Sequence, residues 1–334
     1  MPFSLLFLTV SGLLWGTGGI LGDLLGKVTG LSPLAVAAVR LLTGGALMVA
    51  FLIATGKRRP AGRAAWTRIA VTGVLSALFQ GCYFAAIAMT SVSLATLVTI
   101  GGTPVIVAVV EGVTRRRALG RSGVVTMVLA LSGLGLLVGF PGGGLSEAAV
   151  LAGTSLSLGS AAGFAAVTLL GGLPVAGLGD LAVNGYGFLL GGVMLVPIAA
   201  VAGGEFGLRP GLGALGLLTA AGLLLVLALA PTAVAYVMYY RGLRTAPAST
   251  AALVTLLEPL TAAVLAAVLL GDRLSATGIA GAVVLLAAVV RAARSATLMT
   301  TAASHGPEPV SGLSHQEQAP SSFQAPEAPP GTSS

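Results

Sequence analysis

The sequence predicts an all-α polytopic membrane protein: ten transmembrane helices arranged as two inverted five-helix repeats. Three observations predict it. The 334-residue chain is 56% hydrophobic and only 8% charged, with a mean hydropathy of +1.00, whereas a soluble domain carries roughly a quarter charged residues. The apolar residues fall in ten runs separated by Gly, Pro or charge, and a membrane span needs roughly 20 residues. The second half of the chain also echoes the first. Such a chain cannot clothe a globular surface in polar groups, so its solvent is largely lipid bilayer.

Taken in order, the runs place helices near residues 4–25, 32–54, 69–90, 94–113, 122–140, 149–170, 181–202, 214–240, 248–270 and 275–293. The first opens as MPFSLLFLTV, with no basic stretch before its apolar core and no persuasive cleavage site, so it reads as an uncleaved span. Asp23 and Lys27 at its outer end are spaced for an ion pair, as are Glu111 and Arg115 at the inner end of helix four. The gaps Thr90–Ser93 and Gly271–Ser275 are short enough to force antiparallel neighbours. Beyond Arg294 the composition turns to Pro, Ser, Gln and Glu. Residues 294–334 therefore read as a disordered cytoplasmic tail.

Lysine and arginine set the orientation. Thirteen lie in the even-numbered gaps or after the last helix, among them Lys57, Arg68, Arg121, Arg244 and Arg291; the odd-numbered gaps hold three, Lys27, Arg209 and Arg273. Positive residues mark the cytoplasmic side, which places both termini inside the cell membrane. The 17 basic residues and net charge of +7 are confined to those gaps, a membrane pattern and not a nucleic-acid surface. A single cysteine, Cys82, excludes an internal disulfide or Cys-rich metal site, and the two histidines fall in the tail. No cofactor or metal site is predicted. A homodimer is one arrangement open to the chain, whose oligomeric state the sequence does not set.

The repeat has a register. Leu34-Ala-Val36 returns as Leu181-Ala-Val183 and Gly44-Gly45 as Gly191-Gly192, both offset by 147 (181 − 34, 191 − 44). Leu97-Val-Thr99 returns as Leu253-Val-Thr255, and Tyr83 as Tyr239, offset by 156 (253 − 97, 239 − 83). The extra residues fit one longer loop. Residues 4–140 and 149–293 are thus two copies of five helices. Five is odd, so the second copy enters the membrane from the opposite side, the arrangement that lets a carrier present two facings around one midplane site. Pro104 and Pro259 sit at the centres of helices four and nine. Each removes a backbone hydrogen bond and should kink its helix at mid-depth. Kinks at one depth imply a shared cavity, and Glu258, the lone charge in its run, should face that cavity and not lipid.

The run TAPASTAALVTLLEPLTAAVLAAVLLGDRLSATGIAGAVVLLAAVV resembles the carboxyl-terminal signature of EamA-type proteins in the drug/metabolite transporter superfamily. Ala248-Ser249, Glu258-Pro259, the Gly271-Asp272-Arg273-Leu274 turn, Gly278 and Gly281 carry the likeness. In the first half Trp15-Gly16 and Arg40 fit, but an acidic turn after helix four is replaced by Thr114-Arg-Arg-Arg117. The resemblance covers residues 4–293. It implies ten helices, two EamA repeats and export of amino acids, metabolites or drugs, without fixing the substrate.

The candidate site follows. Glu258 either meets a solute amine or coupling proton, or is a hydrogen-bonded buried carboxyl. Arg40 either meets a solute carboxylate or, the stronger reading, holds helices together through carbonyls or Glu258. Gln80 and Tyr83 share a face of helix three, and Tyr236 and Tyr239 match them on helix eight, which would build an aromatic, amide-lined wall for an organic solute. Tyr239 and Tyr240, beside Arg241, read as interfacial anchors, while Tyr236 and Tyr83 lie deeper and read equally as cavity wall or anchor. Trp15 lines the cavity or packs against the small residues that follow it. Gly177-Leu-Gly-Asp180 spells the GxGD of intramembrane aspartyl proteases, but no second aspartate lies inside a helix to complete the dyad. Nor is there an intramembrane histidine for a serine protease. The sequence therefore predicts a solute carrier working by alternating access and not an enzyme; the resemblance implies that it exports, and an intramembrane enzyme acting on lipid or peptide is the alternative of a different class. A lipid-linked sugar flippase is the alternative carrier.

Overall fold

In the computed structural model the described residues are 3–57, 59–115, 120–139, 146–202, 206, 208–271, 273 and 275–304. They contain ten helices long and apolar enough to cross a membrane. Helices one to seven are Phe3–Thr29, Pro33–Ala54, Arg63–Met89, Val92–Arg115, Arg121–Val138, Glu147–Gly171 and Asp180–Val201. Helices eight and nine span Ala214–Leu243 and Ala248–Leu269, and helix ten runs Ala276–Ser304. No strand occurs among the described residues beyond one isolated bridge, Val175 to Leu178. Met1–Thr297 form one compact unit. Residues 305–334 of the predicted tail, Arg116–Arg117 and Asp272 lie outside the described residues.

Local chemistry starts and stops the helices. Ser32 caps helix two through its Oγ, which accepts from the Ala35 amide at 3.2 Å, and Pro33 occupies the first turn, where its missing donor costs nothing. Ser146 does the same for helix six and Ser91 for helix four. Gly271, at φ +73°, ends helix nine in the left-handed conformation that glycine adopts without a Cβ penalty.

The helix pairings come in related couples, as two copies facing opposite ways require. Helix one packs on helices eight and nine, and helix six packs on helices three and four; helix two packs on helix eight, and helix seven on helix three. Helices two and seven, each other's counterparts, pack together. Their repeated glycine pairs sit at that contact. A Cβ on Gly45 would lie 2.7 Å from the Leu189 nitrogen, and one on Gly192 would lie 2.9 Å from the Leu42 nitrogen. In lipid, where apolar surface alone does not drive association, such backbone approach is what holds helices together.

The two prolines behave differently. Helix four is α-helical straight through Pro104. Helix nine is interrupted: Ala248–Val254 and Leu257–Leu265 are separated by a turn at Thr255–Leu256, and Ala266–Leu270 form a π-turn. Pro259 has no N–H for the Thr255 carbonyl, which instead accepts from the Glu258 amide at 2.9 Å. That shorter i→i+3 bond tightens the backbone one turn ahead of the proline. A further π-segment, Leu229–Val234, surrounds Pro231 in helix eight, a distortion the sequence reading did not assign.

Candidate functional site

One cavity of about 680 Å³ occupies the middle of the bundle, and Trp15, Arg40, Gln80, Tyr83, Tyr236 and Glu258 all lie on its wall. They come from helices one, two, three, eight and nine. The cavity runs from mid-depth past Gly22 to Asp23, Lys27, Pro33, Ile87 and Val92. All of these lie where the first and third connections leave the helices. We call this the sparse end, since its connections carry few basic residues, and the opposite one the basic end. Among the described residues, none from the basic end lines the cavity.

Aromatic rings form the floor and one side. The Trp15 indole meets Phe164 at 5.7 Å, Tyr236 at 5.0 Å and Tyr239 at 4.9 Å between ring centroids. Phe79 stacks on Phe164 at 5.1 Å, and Phe188 stands edge-on to Tyr236 at 4.6 Å. These contacts hold the rings in place and leave their polar tips as the variable groups. Tyr83 shares its hydroxyl with Thr96 at 2.7 Å. Trp15 Nε1 is buried with no hydrogen-bond partner, as is Arg40 Nε.

Charge is the distinctive feature. Arg40 and Glu258 both face the cavity, but they are not an ion pair. The ion pairs among the described residues are Asp23–Lys27 at 2.7 Å and Asp180–Arg244 at 2.6 Å. No hydrogen bond from either charged group fills its place. The reading in which Arg40 holds Glu258 directly is therefore replaced by one in which the two stand apart on a common wall. Gln80, 4% exposed, adds an amide to the same wall.

Three threonines complete the wall: Thr99, Thr103 and Thr255. Thr99 and Thr255 are the repeat-related residues of the two Leu-Val-Thr segments. Thr255 Oγ1 donates to the Ala252 carbonyl at 2.7 Å, and Thr103 Oγ1 to the Thr99 carbonyl at 2.8 Å. The repeat was the signal that could have placed them in the site. Ile100, whose carbonyl Pro104 leaves without its usual donor, also reaches the cavity, where a polar solvent can satisfy it. Pro104 and Pro259 themselves lie behind the lining.

Other sequence assignments move. Tyr239 and Tyr240 are buried, not interfacial; Tyr239 shares a 2.8 Å hydrogen bond with Thr168. The adjacent Gly171 and Leu243 pack so tightly that helices six and eight enclose these rings. Asp180 of the GxGD segment accepts from Arg244 Nη2 at 2.6 Å and from its Nε at 3.1 Å. Glu111 accepts from the Ala248 and Ser249 amides at 3.3 and 3.0 Å. The Arg115 side chain, its predicted partner, is outside the described residues. The Asp23–Lys27 pair forms as spaced, with both side chains more than half exposed.

A polytopic helical bundle with one deep, polar-studded cavity is the architecture of a membrane transporter. The chain belongs to the EamA-like transporter family, whose model matches residues 2–139 and 151–293. It is 28% identical over 302 residues to the "Uncharacterized transporter YwfM" of Bacillus subtilis (strain 168), covering 90% of this chain and 97% of that one. A solved crystal structure superposes with a TM-score of 0.71 at 16% identity, over 89% of this chain and 98% of the other. That likeness speaks to the fold. The protein is thus a multi-pass membrane transporter and not an enzyme.

Proposed function

We propose that the protein exports a small organic solute from the cytoplasm by alternating access. The six residues on the cavity wall form its binding site, and the excess of Lys and Arg supports a basic end on the cytoplasmic side of the plasma membrane. The observation that carries this reading is an arginine and a glutamate on one cavity wall, neither in an ion pair or hydrogen bond with another side chain among the described residues. Holding either charge at such depth costs several kcal/mol unless it is matched, and a dipolar solute matches both. Its carboxylate would sit on Arg40, its amine on Glu258, and its side chain against Trp15, Phe164 and Tyr236. An amino acid or a similar amphipathic metabolite has that form and fits about 680 Å³. On this reading the sparse end of the cavity faces outward, the facing from which an exporter has released its load.

The test is flux in proteoliposomes with a panel of radiolabelled amino acids, their N-acetyl derivatives and their amides. The reading predicts that some zwitterion is carried and that blocking either its amine or its carboxylate abolishes uptake in counterflow. Equal transport of the blocked and free forms would contradict it.

A further inference from the structure

Helix nine begins without a cap of its own. Its first residue follows Pro247, which supplies no side-chain hydrogen bond, so the leading N–H groups have no local acceptor. Helix four, its repeat counterpart, is capped by Ser91, the residue just before it, whose Oγ accepts from the Leu94 amide at 3.1 Å. In helix nine the acceptor comes from the other repeat: Glu111 of helix four takes the Ala248 and Ser249 amides, one on each carboxylate oxygen. Glu111 is 7% exposed. It therefore keeps most of its strength, and it lies where the helix dipole is positive.

What it holds is short and detached. Ala248–Val254 is seven residues long, ending at the Thr255–Leu256 turn, and a helix of that length does not persist alone. The two halves of helix nine also have different neighbours. The first packs chiefly on helix four, the second on helix one. Thr255 lies on the cavity wall, and Val254, one residue nearer the basic end, is 1% exposed. The first half is thus part of the layer that closes the cavity. The Asp180–Arg244 pair lies at the same end, but its arginine is 43% exposed, and solvent-screened pairs contribute little.

We propose that Glu111 is a positioning residue for transport. It holds the first half of helix nine shut beneath the cavity, and its release lets that segment turn about Thr255–Leu256 and open the cavity to the basic end. This inference rests on the alternating-access reading above.

The test uses the full chain with Cys82→Ser and Val254→Cys, treated with a membrane-impermeant thiol reagent from the basic end. Glu111→Gln keeps the shape but loses the charge and one acceptor. It is expected to speed labelling about tenfold, the change in a two-state equilibrium when roughly 1.4 kcal/mol is removed from one state. Glu111→Asp should label like the parent. Ala248→Pro attacks the contact from the other side, removing one donor at a helix position that accepts proline, and should also speed labelling. It serves as well if Glu111→Gln fails to fold. Parental labelling rates in the folded variants, with only a lower melting temperature, would reduce Glu111 to a structural cap and overturn the proposal. A parallel Ile100→Cys reporter on the cavity wall separates the two failures. Labelling of Ile100→Cys from both sides with Val254→Cys unmoved defeats the latch alone. Labelling from the sparse end only, in every variant, defeats alternating access, and the latch with it.

Discussion

At the scale of single residues, the account depends on Glu258 and Arg40 meeting solute and not each other. Glu258→Gln is nearly isosteric and easier to bury, so expression and melting temperature should hold. Transport of an amine-bearing solute should fall roughly tenfold or more, the loss of a charge-assisted hydrogen bond of about 1.5–3 kcal/mol. Any dependence of transport on pH that arises from this carboxyl should vanish with it. Parental flux in Glu258→Gln across pH 5 to 9 (a range set by the assay) would leave the carboxyl a structural role only. That the six predicted residues would share one cavity wall was legible because a polar or indole side chain stands out in an apolar run. Phe79, Phe164 and Thr103 were not. An aromatic or a threonine in a span packs more often than it binds, and only the folded neighbours reveal which it does. Tyr239 misled for the same reason: adjacency to Arg241 suggested the interface, while its burial comes from helix six, distant in sequence.

At the scale of elements, the break in helix nine is the part that should move. Pro259→Ala supplies an N–H for the Thr255 carbonyl and competes with the Glu258 amide now bound there. Helix nine should become continuous. Maximal flux should drop while solute affinity stays within about twofold, a split that separates exchange between facings from binding; falls in both together would assign Pro259 to the site itself. A second element-level prediction concerns the contact of helices two and seven. Gly45→Ala would push a methyl against the Leu189 and Gly185 backbone at 2.7 Å. The backbone cannot yield as a side chain can, so overpacking should cost about 1–3 kcal/mol, read as a lower melting temperature in detergent. Gly222→Ala, which meets nothing within 4 Å, is the control and should melt like the parent. The ten spans were legible because length and hydropathy decide them. The site of the break was not read to the residue, since a proline acts on the carbonyl a turn earlier. Sequence symmetry also hid the difference between Pro104, in an unbroken helix, and Pro259.

At the scale of the whole molecule, the repeat offset made the inverted pairing of helices readable before any coordinate. Which end of the cavity is closed was not readable, because it depends on contacts such as Glu111 with Ala248 that join the two repeats. Orientation rests on the basic residues. Cysteines at Ala61 and Leu208 should react with an impermeant reagent from opposite faces of the membrane, Ala61 from the cytoplasm; reaction of Ala61→Cys in intact cells would reverse the direction assigned to transport. The most direct measurement of the central claim is two-sided labelling of Ile100→Cys in a Cys82→Ser background, in right-side-out and inside-out vesicles. The account predicts reaction from both faces, with the balance shifted by a transported solute. Reaction from the sparse end alone, unchanged by any solute that the protein carries, would show a fixed pocket and contradict it.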